Sequence, residues 1–482
     1  MADFKRGLER ALLSDDLLSR VRLALALRAP DTAYAAGLYI TETARGLAPG
    51  GLLRDCRGDT LAAARSLSGG LGPVAVPVSG LPGGFRLVDA AGAGRDITLR
   101  HLTGAMHESL EDSGFTVEAL AIDLYPAPGT GVLDPLGGLD DLADGRLKVS
   151  HPRALIDDPA RVLCAAELCN RFDLAPETET RVSLRSAAGL VAQLSPARAW
   201  ACLSRILPGG GLGAAARFLK EFAVLEVVLP ELEAIYDVPQ NYYHHLGVWD
   251  HTLLTLDLLE EMMRVPAAYF PAYGSRVTAH LAGELEGGLP RRCFLGLAAL
   301  IHDAGKAHAM SVEPNGRIRF QGHALEGARL AAGVAARLGL GRRGSRYLID
   351  VVRDHMRLGV LLKEGESVRT RLGAVRDLGG HTIEVVMLSL ADRLATRGEA
   401  STEEGLARFR RTASRVMSDY FWERYSPVLL DGHDVMVHSG VGPGPAVADA
   451  LFRVRVAQRE AQIGSRDQAL EFIAPDFKGR MG

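Results

Sequence analysis

The stretch FLGLAALIHDAGK (residues 294–306) runs eight apolar or small residues into His302 and Asp303, followed by Gly305 and Lys306. The run predicts a buried helix whose C-terminal end brings an imidazole and a carboxylate to one point. Outward from it lie four more candidates. His251 sits in VWDHTLLTLDLLEEMM (248–263), His323 in FQGHALEGARLA (320–331), His355 in LIDVVRDHMR (348–357) and Asp392 in MLSLADRLATRG (387–398). Each belongs to a helical pattern or a helix end. Imidazole and carboxylate together suit divalent metals such as Mg²⁺, Mn²⁺, Ni²⁺ or Co²⁺. Four such ligands from three helices can grip one ion and leave positions open for water and phosphate, and two more His can hold a second. A lone His on an apolar helix is more often a core histidine, and a His-Asp pair is a weak signal: His433-Asp434 is a second one without the same context. The ordered set of six is the specific feature.

The 482 residues carry a net charge of −3, which argues against a polybasic nucleic-acid binder. Hydrophobic residues at 47% and charged residues at 23% argue against disorder. The five cysteines are never spaced C-x-x-C, so neither a disulfide partner nor a Cys-type zinc site is expected. No apolar stretch reaches the length of about 18 residues needed for a membrane span, and the N-terminal segment has acids early and no apolar core. The expected compartment is a reducing cytoplasm. Only six lysines occur, so Lys306 beside the His-Asp pair stands out.

Composition divides the chain. Residues 45–100 are rich in Gly, Ala and Pro, with short apolar runs that read as strands between turns, VAVPV (74–78) and FRLV (85–88). From about residue 157 the period turns helical and stays so. The expected organisation is a small α/β head (1–150), a helical neck (151–235), a helical middle domain (236–400) and a helical tail (401–482).

The segment 245–306 with Asp392 resembles the HD superfamily of metal-dependent phosphohydrolases. That resemblance implies His251, His302, Asp303 and Asp392 as ligands of a divalent metal, with His323 and His355 beside them. It implies catalytic roles for His302, Asp303 and Lys306, the lysine near a phosphate. Most of the chain further resembles bacterial tRNA nucleotidyltransferases that carry an HD domain (class II CCA-adding enzymes and poly(A) polymerases). The stretches that carry this are DPLGGLDDLADGRLK (134–148), DDPARVL (157–163), YYHHLGVWDHTL (242–253), LIHDAGK (300–306), HMR (355–357), ADRLATRG (391–398) and the tail from GHDVM to AQREAQIGSRDQAL (432–470). The implied fold class is multi-domain α+β: a small nucleotidyltransferase-like α/β head, then an all-α neck, an all-α HD domain and an α-helical tail. The neck would bind nucleotide or RNA and the tail tRNA. The tail's eleven basic and eleven acidic residues give the latter no support of their own.

The head departs from the family pattern. The Gly-Gly-x-x-Arg-Asp turn falls on AGLYIT (36–41), and the Asp-x-Asp pair on GLLRD (51–55), where Asp55 aligns with neither catalytic position. Asp96 matches the third carboxylate. The ribose-contact motif reads DSGFTVEA (112–119), with Phe115, Thr116 and Ala119 kept and Glu118 in place of Asn. The base-reading motif is kept as Asp157, Asp158 and Arg161. Without both Asp ligands a metal–triphosphate site cannot neutralise its charge. The function expected is therefore a metal-dependent HD phosphohydrolase or phosphodiesterase acting on nucleotides or RNA ends, on a scaffold whose transferase site is inactive. The alternatives are an active tRNA nucleotidyltransferase, which adds C or A at tRNA 3′ ends, and a non-catalytic RNA-binding regulator.

Overall fold

A computed structural model describes residues 132–207, 210–240, 245–398 and 401–477. Before residue 132 it describes the elements named below, with residues 8, 11, 12, 15, 102, 105 and 112–120. The turn at 37–41 and the Tyr242–His244 part of one family stretch lie outside the described residues. The architecture is multi-domain α+β, a small sheet-bearing head followed by helices. It divides into two compact units, residues 1–209 with 214–228, and residues 210–213 with 229–482.

The first unit is built on seven short strands: β1 (Thr32–Ala36), β2 (Gly51–Arg57), β3 (Ala75–Pro77), β4 (Phe85–Leu87), β5 (Asp96–His101), β6 (Ala121–Tyr125) and β7 (Val132–Leu133). Their order in the sheet is β3-β4-β5-β2-β1-β6-β7. Only β2 and β5 pair in parallel, with α1 (Thr60–Leu71) in the crossover between them. Their register sets Asp96 opposite Gly51 and Asp55 opposite Arg100.

Helix α2 (Met106–Glu111) lies between β5 and β6, and after the last strand come α3 (Gly138–Ala143), α4 (Ala160–Phe172), α5 (Thr178–Ala187) and α6 (Pro196–Ile206). The DPLGGLDDLADGR segment owes its shape to a close backbone approach. A Cβ on Gly138 would fall 2.0 Å from the Thr116 carbonyl oxygen, so only glycine lets α3 lie against the Phe115–Glu118 turn. Asp134 caps that helix by accepting from the Gly138 and Leu139 amides at 2.6 and 3.1 Å. Thr116 Oγ1 donates to buried Asp141 at 2.8 Å, which Arg146 pairs at 3.0 Å.

The second unit is helical: α7 (Val248–Arg264), α8 (Gly274–Ala282), α9 (Arg291–Ile301), α10 (His323–Arg337), α11 (Arg342–Asp354), α12 (Arg357–Glu364), α13 (Val368–Leu378), α14 (Thr382–Ala395), α15 (Glu403–Tyr425), α16 (Gly432–Ser439), α17 (Pro445–Arg459) and α18 (Arg466–Phe477). Helix α9 is buried from Cys293 to Ile301, and α7 packs on both α9 and α14. Helices α10 and α11 form a neighbouring pair. A two-residue-per-strand hairpin (Ser311–Val312 with Ile318–Arg319) leads into α10. The second His-Asp pair proves to be a helix start: Asp434 and Asp431 cap α16 reciprocally, each accepting the other's amide. Among the described residues no helix is long and apolar enough to cross a membrane.

Candidate metal centre

The six ligand candidates of the second unit meet at the C-terminal end of α9. His251 comes from the first turn of α7, His302 and Asp303 from the end of α9, His323 from the start of α10, His355 from the end of α11 and Asp392 from α14. Asp303 is the hub. One of its oxygens lies 3.2 Å from His302 Nε2 and 3.7 Å from His251 Nε2; the other lies 3.5 Å from His323 Nε2 and 4.0 Å from His355 Nε2. Asp392 Oδ1 is 2.8 Å from His251 Nε2. The donor atoms of His251, His302 and Asp303 lie within 4.8 Å of one another, and so do those of Asp303, His323 and His355.

Three imidazoles are oriented in the same way. His302, His323 and His355 each donate from Nδ1 to the carbonyl three residues earlier, Ala299, Phe320 and Val352, at 2.7, 2.8 and 2.7 Å. Each side chain sits at a helix terminus where such a carbonyl is in reach. The bond fixes the tautomer and turns every Nε2 toward Asp303, the arrangement expected around a metal. His302 Nε2 is buried without a hydrogen-bond partner, which a Lewis acid would satisfy. The donor set therefore fits a divalent ion.

The charges agree. Burial disfavours charge on His302, yet Asp303 outweighs it and raises the imidazole above its ordinary value. An ion bound here would displace that proton. Burial pushes His355 down to about 3, helped by His302 and His323, so it stays neutral and able to ligate. Burial opposes charge on Asp392, but the His251 hydrogen bond prevails and holds the carboxyl well below the usual range. Lys306 is buried with Nζ 2.7 Å from Asp303 and 2.7 Å from Gln240 Oε1.

A cavity of about 900 Å³ opens over Asp303, His323, His355 and Asp392. Its rim carries Arg317, Arg319 and Phe320 from the hairpin side and Lys363, Arg393 and Arg408 across from them. Sequence reasoning missed Gln240 and this basic rim. In the tail, Arg408 and Arg415 pair Glu366 at 3.3 and 3.4 Å, while Arg459 pairs Asp419 at 2.8 Å.

In the first unit, Asp158 accepts from Arg198 Nη2 at 2.6 Å and from the Ala160 amide at 3.1 Å. Arg161 donates to the Ala154 and Asp112 carbonyls at 3.0 and 2.6 Å. Glu118 stands beside this group. Burial raises its carboxyl to about 7, against the pull of Arg205. Asp96 opens β5.

The HD domain family matches residues 248–397, the span that supplies the cluster. A CC-adding tRNA nucleotidyltransferase of Thermus thermophilus is 30% identical over 84% of this chain and 84% of its own length. The chain belongs to the tRNA nucleotidyltransferase family. An A-adding tRNA nucleotidyltransferase of Deinococcus radiodurans is 29% identical over 86% of the chain and 89% of its own length. The fold is likewise that of a Thermotoga maritima CCA-adding enzyme complexed with tRNA, at a TM-score of 0.60 and 17% identity over 98% of both chains.

Membership in the tRNA nucleotidyltransferase family is membership in a family of enzymes, and it corrects the expected function. A phosphohydrolase on an inactive head does not stand against relatives named for nucleotide addition that match nearly end to end. The expectation of a lost acid site rested on an alignment of residues 51–55. In the structure Asp55 lies within β2, where its register partner on β5 is Arg100, four residues along from Asp96.

Proposed function

We propose that the protein is a tRNA nucleotidyltransferase that adds C, A or both to tRNA 3′ ends. The observation that carries this is the near end-to-end likeness to one A-adding and one CC-adding enzyme. Nucleotidyl transfer needs carboxylate-held divalent metal to neutralise the triphosphate and orient the attacking hydroxyl. Asp96 on β5 is the acid we assign to it. Asp158 and Arg161 are the base-reading pair: one accepts, the other donates, and together they complement the edge of a pyrimidine or purine. Each has protein partners that it would exchange for the base.

A second, separate divalent ion belongs to the HD unit. His251, His302, Asp303 and Asp392 hold it, with His323 and His355 next to it. Mg²⁺, Mn²⁺, Ni²⁺ and Co²⁺ all fit this donor set.

The test uses full-length protein, Mg²⁺, and tRNA ending before the CCA, after C, or after CC, each with CTP, ATP or both. Extension of at least one substrate is expected, and Asp96→Ala should abolish it while Asp303→Ala leaves it in place. Folded protein that extends none of the three tRNAs refutes the reading.

A further inference from the structure

Helices α4 and α6 in the first unit are joined by three successive side-chain pairs. Just before α4, Asp158 meets Arg198 at 2.6 Å. Further along, Glu167 meets Arg205 at 2.8 Å. Between these two ion pairs, Cys164 Sγ and Cys202 Sγ lie 4.0 Å apart, and Arg205 Nη1 lies 3.9 Å from Cys164 Sγ. The flanking pairs fix how the helices are aligned, and that alignment brings the sulfurs together. A disulfide needs about 2.05 Å between sulfurs, so the remaining gap of about 2 Å falls within side-chain rotation.

The two thiols are unlike. The hydrogen bond that Cys164 donates to Cys202, with burial added, raises Cys164 above the ordinary thiol value. Receiving that bond holds Cys202 below it, and Arg205 adds to the effect. Cys164 is partly exposed, so a small oxidant can reach the pair. Burial raises the Cys169 and Cys293 thiols, to about 12 and about 11.

We propose that Cys164 and Cys202 are a redox-active dithiol, oxidised reversibly to an intramolecular disulfide by a low-molecular-weight disulfide such as oxidised glutathione. One protein thiolate attacks a glutathione sulfur, forms a mixed disulfide and expels glutathione thiolate. The second protein thiolate attacks the protein sulfur of that mixed disulfide and expels the second glutathione. Two protein thiols are oxidised, one glutathione disulfide is reduced to two thiols, and the two protein protons pass to them. The bond ties the helix that carries Arg161 to the helix that carries Arg198, the partner of Asp158. It lies beside the Asp158–Arg198 pair, in the neck.

The test incubates the full chain with oxidised glutathione, then counts thiols after denaturation and maps linkages by non-reducing digestion and mass spectrometry. The reduced chain should show five thiols, one for each cysteine. The oxidised chain should show three, with the Cys164 and Cys202 peptides linked, and dithiothreitol should restore five. Cys169→Ser should keep the link and Cys202→Ser should lose it. Both cysteines still reduced, each separately carrying glutathione, or either linked to a different cysteine would overturn the proposal on the wild-type chain alone.

Discussion

Gly305→Ala tests how the metal centre is assembled. A Cβ on Gly305 would stand 2.2 Å from the His323 carbonyl oxygen and 2.5 Å from the Gly327 amide nitrogen. Both are backbone atoms of the first turns of α10, so no side chain can swing aside. To restore ordinary contact, α10 must retreat by about 1 Å, carrying His323 away from Asp303. Overpacking of a close-packed interior costs about 1–3 kcal/mol, and a backbone-on-backbone clash belongs near the upper end, about 3 kcal/mol. With a urea dependence of about 3 kcal/mol per molar for a unit of this size, the midpoint should fall by about 1 M. Affinity for Mn²⁺, measured by titration calorimetry, should weaken by about tenfold or more, as when other groups that orient ligands are disturbed. Gly373→Ala is the control. It lies in α13 with its nearest neighbour, Phe452, at 3.8 Å, and should be neutral or stabilising by about 0.5–1 kcal/mol. A Gly305→Ala midpoint within about 0.2 M of the parent would refute the contact argument.

Lys306→Met leaves Asp303 buried without its cation. It should destabilise the chelator-treated protein by about 3 kcal/mol, and less when Mn²⁺ is present, by urea unfolding. Asp392→Asn keeps the shape of the His251 contact but removes the charge, and should lower Mn²⁺ affinity by at least about tenfold in calorimetry. The Glu118 carboxyl lies above its unfolded value in the folded protein, so the stability it carries is complete in acid and lost as pH rises to about 7. Glu118→Gln should flatten the pH dependence of the unfolding midpoint between about pH 5 and 7.

The convergence of the candidate ligands was legible because helical periodicity is strong in each segment and each candidate falls where an apolar run ends or turns. What orients them was not. The acceptors for His302, His323 and His355 are main-chain carbonyls, which carry no residue identity to read. Gln240 reaches Lys306 across 66 positions, and the hairpin behind Arg317 and Arg319 has only two residues per strand. Class and order of elements were legible in the head too. The register was not: that Asp96 stands opposite Gly51 and Asp55 opposite Arg100 depends on pairing between strands, which one strand's sequence does not carry. The second His-Asp pair shows the converse: His433 and Asp434 share the signature, but a neighbouring Asp431 makes the acid a cap.

His251 and Asp392 are in direct contact across 141 residues of chain. At synthesis rates of about 5–20 residues per second, the ribosome makes His251 roughly 7–28 s before its partner. His302 and Asp303 also emerge ahead of it, on helices that already have apolar surface to bury. Until α14 arrives, the half-built cluster offers imidazoles and one carboxylate to any metal in the cell, with nothing to enforce the final geometry. Ions that bind imidazole and carboxylate most tightly, Cu²⁺ and Zn²⁺, compete best for such an open set. The donor set reaches its final composition only when residue 392 joins it, long after the first imidazole has been made.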